Sequence, residues 1–374
     1  MRKILFVSTG LAYGGAETQL KEVAIRLKQR GWGVRVVSLL PPAAYVEELQ
    51  QAGIHVDSLQ MRRKVPDPRA LLRLARIIRE ERPDVVHAYM FHANLIARFV
   101  RLLAPVPVLV CSIRSLREGG WFRERAYQVT DWLADITTHV SQRGLERYVC
   151  AGVVPVHRIE YIPNGVDLSR FAPNPQERPQ KRHTMNLHEN FVWLAVGRLE
   201  APKDYPLMLN AFHQVYRQFP QARLLIIGDG MLRLALERQI ADIELVNAVQ
   251  LLGIRQDVPD WMRIADAYVM SSAWEGMPNV LLEAHASGLP VVCTDVGGCA
   301  EIVQHRVSGF LVPPGDADAL AQAMIQMMSL SEAERQAMGQ AGRAHVMANF
   351  EIEQVVSRWE ALYCEWIERK ACRK

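Results

Sequence analysis

Ser272-Ala-Trp-Glu275-Gly-Met-Pro-Asn-Val-Leu-Leu-Glu283-Ala-His-Ala-Ser-Gly-Leu-Pro290 sets two acids eight positions apart, across a Gly-Met-Pro-Asn turn that opens an apolar helix running on into a strand. Eight helical residues rise about 12 Å, so the acids can neither share one atom nor chelate one small ion. They can hold two parts of one elongated ligand. The turn leaves the first backbone N–H groups of the expected helix, Asn279 to Ser287, open to a phosphate. Acid, phosphate cradle, acid is the order of groups that a nucleoside-diphosphate sugar presents, with hydroxyls at both ends and a diphosphate between them.

Working outward, the same strand-then-helix rhythm fills the chain. Apolar, β-branched runs fall at Ile4–Ser8, Val34–Leu39, Val85–Ala88, Val106–Ser112 and Ile136–Val140, and again at Phe191–Val196, Arg223–Ile227, Ala248–Leu252, Ala267–Met270 and Pro290–Thr294. Alternation with helical periodicity predicts parallel sheets covered on both faces. Between the two series, Tyr161-Ile-Pro-Asn-Gly-Val-Asp167 and a polar, proline-bearing stretch break the rhythm. The expectation is an N-terminal acceptor-side domain over 1–170, a linker over 171–190, a nucleotide-sugar-binding domain over 191–350 and a terminal helix over 351–374. Two doubly wound α/β domains then present the carboxyl ends of their sheets to a shared cleft. Trp359, Tyr363 and Trp366 recur at helical spacing and read as packing of that last helix.

Two further strand ends carry candidate ligand groups. Gly14-Gly15 opens a helix expected to begin near Thr18, where backbone N–H groups suit a phosphate or sugar, with a tight structural turn as the other reading. The dinucleotide pattern G-x-G-x-x-G followed by an acid about 20 residues on is absent. Arg198 and Lys203, in Gly197-Arg198-Leu-Glu-Ala-Pro-Lys203, follow the first strand of the second series and offer a planar fork and a point charge to a diphosphate. Asp316-Ala-Asp318 is the one D-x-D sequence and reads as helix capping, so no metal site and no cofactor are expected.

In this order, Gly14-Gly15-Ala16-Glu17, Ile162-Pro-Asn-Gly-Val-Asp167, Gly197-Arg198 with Lys203, Gly228-Asp-Gly230 and the Glu275/Glu283 pair resemble the retaining glycosyltransferases of family 4, with the GT-B fold. The resemblance runs nearly end to end and implies metal-independent transfer from a nucleoside-diphosphate sugar with retention at the anomeric carbon. It implies that Glu275 lies by the donor sugar, that Glu283 holds the ribose and that Arg198 and Lys203 hold the diphosphate. Gly276, Met277, Pro278, Asn279 and Val280 would touch sugar hydroxyls and phosphate, and Gly253, Ile254 and Arg255 the base. One departure stands out. Many relatives place a histidine after the fifth strand of the first domain, where this chain has Arg114, which cannot act as a base. His87 and His92 read as structural histidines, with substitution for the missing base as the alternative.

Charge is unevenly divided: residues 1–170 hold 25 basic and 16 acidic side chains, and residues 171–374 hold 19 and 24. In the basic half, Arg73, Arg76 and Arg79 recur at helical spacing, Arg62-Arg63-Lys64 lies upstream, and Trp121-Phe122 sit between cations. Such a face suits an anionic membrane around a lipid-linked acceptor, or is simply solvated. No nucleic-acid module is present. The six cysteines show no ligand spacing and read as reduced thiols, and Met1–Gly10 reads as a first strand, so a cytoplasmic protein is expected, at most peripheral at the inner face of the plasma membrane. The reading is a hexosyltransferase of surface-glycan biosynthesis. A GT-B sugar phosphorylase or trehalose-type synthase and a non-catalytic nucleotide-sugar-binding protein remain open alternatives.

Overall fold

The structure, a computed structural model, describes residues 1–63 and 65–372; Lys64 of the basic run and Arg373 and Lys374 of the terminal segment lie outside the described residues. The chain forms two compact units: Met1–Gly165 with the terminal segment from Ile352, and Val166–Glu351.

In the first unit seven parallel strands form one sheet: β1 (Lys3–Ser8), β2 (Gly33–Ser38), β3 (His55–Ser58), β4 (Val85–Tyr89), β5 (Val108–Ile113), β6 (Ile136–His139) and β7 (Ile159–Tyr161), in the order β3-β2-β1-β4-β5-β6-β7. Its central strands are buried along their length, as strands covered on both faces must be. On one face lie Leu20, Val23 and Leu27 of the Gly15–Gln29 helix and Val355, Trp359, Leu362 and Tyr363 of the terminal helix. The other face is covered by Leu74, Ile78, Ala93 and Ala97. The terminal helix, Ile352–Ala371, thus belongs to this unit's core. A buried aromatic removes roughly 150–250 Å² from water, or about 4–6 kcal/mol at 25 cal/mol per Å², so Trp359 and Tyr363 make the helix a structural member and not an appendage.

The second unit repeats the winding with six parallel strands: β8 (Phe191–Val196), β9 (Ala222–Ile227), β10 (Val249–Gly253), β11 (Ala267–Met270), β12 (Val291–Thr294) and β13 (Gly309–Val312), in the order β10-β9-β8-β11-β12-β13. Phe212 and Val215 of the Tyr205–Gln218 helix and Leu320, Met324 and Met327 of the Ala317–Ser329 helix fill one side. Two local expectations need correction. The first helix starts at Gly15, not near Thr18, because the N–H of Thr18 already bonds the carbonyl of Gly14. The polar stretch expected as a linker carries a helix, Arg178–Thr184, with Pro179 in its first turn, where a missing N–H costs nothing.

Candidate active site

The second unit gathers its candidate groups at the carboxyl edge of its sheet. After β8 and β9 the chain ends converge so closely that a Cβ on Gly228 would lie 1.9 Å from the carbonyl oxygen of Gly197, and Gly228 has φ +141°. Only glycine fits there. Its N–H donates to the carbonyl of Gly253 at the end of β10 (2.8 Å), which ties three strand ends together. The loop carrying Arg198 closes in a short turn at Ala201–Lys203, and Asp204 caps the following helix by accepting the N–H of Leu207 (3.4 Å). From β11, Ser271 Oγ donates to the carbonyls of Lys203 and Asp204 (2.8 and 2.9 Å), and the N–H of Ala273 donates to Pro202 (2.9 Å).

That clamp places Lys203 Nζ 2.5 Å from Glu275 Oε1, and Ser272 Oγ donates to the same oxygen at 2.8 Å. Both side chains are largely buried, at 19% and 14% exposure. Arg198 is on the same loop but exposed, its Nη1 3.1 Å from Glu200 Oε2. Next to Glu275, Gly276, Met277, Pro278 and Asn279 are buried and lead into the helix Asn279–Ala286, whose N-cap residue, Pro278, offers no side-chain cap. Val280 and Glu283 are half-buried on that helix. The fully buried phenols of Tyr205 and Tyr268 report on the acids. Burial pushes both well above the usual tyrosine range, Glu275 pushes both further, and Glu283 also acts on Tyr268. Both carboxylates therefore lie within electrostatic reach of one phenol that stays protonated.

At the end of β10, Gly253 adopts φ +70°, Ile254 presents an exposed apolar side chain, and Arg255 is fixed by Asp257 (2.8 and 2.6 Å) over the ring of Trp261. Asp316 caps the Ala317–Ser329 helix by accepting the N–H of Ala319 (2.8 Å). Among the described residues no group of three or more His, Cys, Asp or Glu side chains is placed to hold a metal ion.

The first unit holds the remaining candidates. Gly14 is the extended N-cap of its helix, without a side-chain cap, and Gly15 is exposed in the first turn. Arg114 follows β5, with its guanidinium 5.2 Å from the Tyr89 ring centroid and Nη2 2.5 Å from Asn164 Oδ1. Its backbone N–H donates to Glu118 (2.9 Å). His87 is a core group: it is fully buried, with Nδ1 2.6 Å from Tyr363 Oη and Nε2 2.7 Å from Ser112 Oγ. Burial, then the charge of Arg114, holds it well below the usual histidine range. It is thus a structural histidine and no substitute base. His92 is exposed on the Phe91–Val100 helix.

The basic helix Arg69–Glu81 is less free than its sequence suggests. Arg73 pairs with Asp67, Arg76 with Glu80 (2.7 Å), and Arg79 donates to the carbonyl of Leu103 (2.5 Å). Trp121 and Phe122, 68% and 81% exposed, open the Trp121–Thr130 helix, and Trp132, 67% exposed, lies in the short turn Asp131–Leu133 that follows it. Among the described residues no helix is long and apolar enough to cross a membrane. Reading the sequence missed Ser272, Tyr205 and Asn164. Ser272 stands three residues before Glu275 and Asn164 lies inside the Ile-Pro-Asn-Gly stretch, so position near a motif was the available signal.

Known proteins resemble this chain along most of its length. Residues 14–165 match the model described as glycosyl transferase 4-like domain, and residues 177–345 match glycosyl transferases group 1. An Escherichia coli protein named UDP-Gal:alpha-D-GlcNAc-diphosphoundecaprenol alpha-1,3-galactosyltransferase is 28% identical over 317 residues, 82% of this chain and 81% of that protein. A Mycobacterium tuberculosis GDP-mannose-dependent alpha-(1-6)-phosphatidylinositol monomannoside mannosyltransferase is 28% identical over 388 residues, 97% and 96% of the two chains. The Anabaena protein HepE, solved in complex with UDP and glucose, superimposes with a TM-score of 0.88 at 23% identity, covering 98% of this chain and 100% of its own, a likeness of fold.

Proposed function

For a chain that belongs to the glycosyltransferases of family 4 type with the GT-B fold, we propose retaining transfer of a hexose-type sugar from a nucleoside-diphosphate sugar to a lipid-linked or saccharide acceptor, without a metal. The observation that carries this reading is the contact of Lys203 with Glu275 at the carboxyl edge of the second sheet, beside the N-terminus of the Asn279–Ala286 helix. A departing diphosphate needs positive charge placed before the bond breaks. Lys203 and Arg198 supply it, and the first-turn N–H groups of the Asn279–Ala286 helix add backbone donors.

Glu275 sits where a carboxylate can take the hydroxyls of the transferred sugar, with Gly276, Met277 and Pro278 lining the approach. Glu283, further along the helix, faces the ribose. Ile254 gives the base an apolar seat at the end of β10. In the first unit Arg114 meets a phosphate or an acidic acceptor. It does so from a fixed stack on Tyr89, as a charge and not as a base. The E. coli and M. tuberculosis relatives are named for nucleoside-diphosphate hexose donors and for lipid-linked acceptors, which supports the same classes here. With such an acceptor, the basic first unit meets the anionic headgroups around it, at the inner face of the plasma membrane.

The test is turnover with UDP- and GDP-hexoses and an undecaprenyl-diphosphate sugar or phosphatidylinositol acceptor, with the anomeric configuration of the product read by NMR. Retention and full rate in EDTA are expected. Inversion, or activity that appears only with added magnesium or manganese, overturns the mechanism.

A further inference from the structure

The second unit carries another groove, at the amino edge of its sheet, the edge away from Lys203 and Glu275. It encloses about 780 Å³ and is bordered by Phe191, Gln221, Asp266 and Pro290, each at or just before the start of a strand. That volume is within the range of roughly 300–1,000 Å³ common for small-molecule sites.

One wall is a single face of the Glu332–Asn349 helix. Glu332, Arg335, Gln336, Gln340 and Arg343 recur at helical spacing and all line the groove, two cations against one acid. The helix approaches the floor closely because Gly339 lies on the same face, where a Cβ would sit 1.9 Å from the carbonyl oxygen of Gly288. The opposite wall is rigid. Arg178 and Arg182 are held by the two oxygens of Asp266 at 2.5 and 2.9 Å, so one carboxylate fixes both guanidiniums and one positive charge is left over.

Arg335 and Arg343 are different. Arg335 donates to the carbonyl of Leu330 and lies over the Phe191 ring at 5.2 Å, and Arg343 donates to the carbonyl of Ala286. Neither has a carboxylate partner among the described residues. Burial pulls Arg343 below the usual guanidinium range with no acid to offset it. On the floor, Ser287 is only 6% exposed, yet its Oγ has no hydrogen-bond partner. A buried hydroxyl left unpaired is costly unless something fills the site.

We propose that this groove is a second ligand site, separate from the sugar-nucleotide site, and that it takes a small phosphorylated molecule. Arg335 and Arg343 give their free guanidinium N–H groups to phosphate oxygens, Ser287 Oγ donates from the floor, and Gln340 bonds a hydroxyl, while Gln336 Nε2 is held by Glu332 Oε1 at 3.0 Å. A forked guanidinium matches the bidentate geometry of a phosphate. The floor residue directly follows the helix Asn279–Ala286, whose other end carries the donor groups, so one short helix joins the two sites. The groove stands independently of the donor assignment.

The test is calorimetric titration of inorganic pyrophosphate, and separately inorganic phosphate, into the full chain saturated with UDP. One pyrophosphate is expected to bind per chain, more weakly as salt rises. Arg335→Gln with Arg343→Gln should weaken it at least tenfold, and Lys203→Ala should leave it unchanged. If the double variant does not fold, Ser287→Ala and the exposed Gln340→Glu decide, each expected to weaken binding several-fold. Absence of pyrophosphate binding once UDP is bound, or equal affinity in these variants, overturns the proposal. A chain that binds no UDP counts against the donor site, and the groove is then read in Lys203→Ala.

Discussion

Replacing Glu275 with glutamine tests the central contact of the site, because it removes a charge while keeping volume. Lys203 Nζ lies 2.5 Å from Glu275 Oε1, and Ser272 Oγ shares that oxygen. Breaking a fully buried pair costs about 3–5 kcal/mol, and an exposed one about 0–1 kcal/mol. With under a fifth of each side chain exposed, about 1–2 kcal/mol is expected. At about 2–4 °C per kcal/mol for a domain of this size, the unfolding midpoint of the second unit falls by about 2–8 °C.

The effect on nucleotide binding has the opposite sign. In the wild type a diphosphate must draw Lys203 partly away from Glu275 and then lie beside a carboxylate. In Glu275→Gln the ammonium is free and the repulsion is gone. UDP or GDP should bind equally well or up to about tenfold more tightly, about 1.4 kcal/mol, and should restore more thermal stability than it adds to the wild type. Sugar transfer should nevertheless slow on the order of 10²-fold, the scale for losing one preorganised electrostatic group. Calorimetry measures the first quantity and nucleotide release the second. Adding Lys203→Met completes a double-mutant cycle in stability, with a coupling of about 0.5–3 kcal/mol expected. Loss of nucleotide affinity in Glu275→Gln as large as in Lys203→Ala, or a coupling indistinguishable from zero, refutes this account.

Glu283→Gln should weaken binding of the free nucleoside diphosphate where Glu275→Gln does not, since one acid is assigned to ribose and the other to the sugar; equal losses in calorimetry would count against that division. The wild type should float with anionic liposomes at low salt and be released at high salt; because Arg73, Arg76 and Arg79 already have partners, replacing all three with glutamine should weaken but not abolish flotation, and indifference to liposomes at low salt would assign the acceptor to solution. His139 and His285, both buried, are held down at about 4 by burial, whereas an unfolded histidine titrates near 6.5. Their neutral forms therefore contribute stability in full above about pH 6.5, and it is lost as pH falls towards 4 at up to about 1.4 kcal/mol per pH unit for each. Urea midpoints measured from pH 7.5 to 4.5 should fall accordingly, less steeply in His285→Gln, and a flat profile would contradict the burial argument.

Central strands were legible in the sequence because a strand covered on both faces is a continuous apolar run, as in Val-Val-His-Ala-Tyr at β4 and Phe-Val-Trp-Leu-Ala-Val at β8. The strands not read were β3, β7 and β13, all at sheet edges. An edge strand is short and covered on fewer sides, so His-Val-Asp-Ser and Ile-Glu-Tyr carry neither a continuous run nor a clean alternation. The site divides in the same way. Gly197-Arg198, Gly228-Asp-Gly230 and the Glu275/Glu283 spacing are local chemistry at strand ends, and a chain position after a strand already implies the carboxyl edge. That Lys203 touches Glu275, 72 residues away, that Gly228 packs on the carbonyl of Gly197, and that His87 is sealed by Tyr363 of the last helix are contacts between segments brought together by strand order. Arg335 and Arg343 show the same division, since helical spacing put them on one face, but only packing against Gly288 decided that this face borders a groove instead of open solvent.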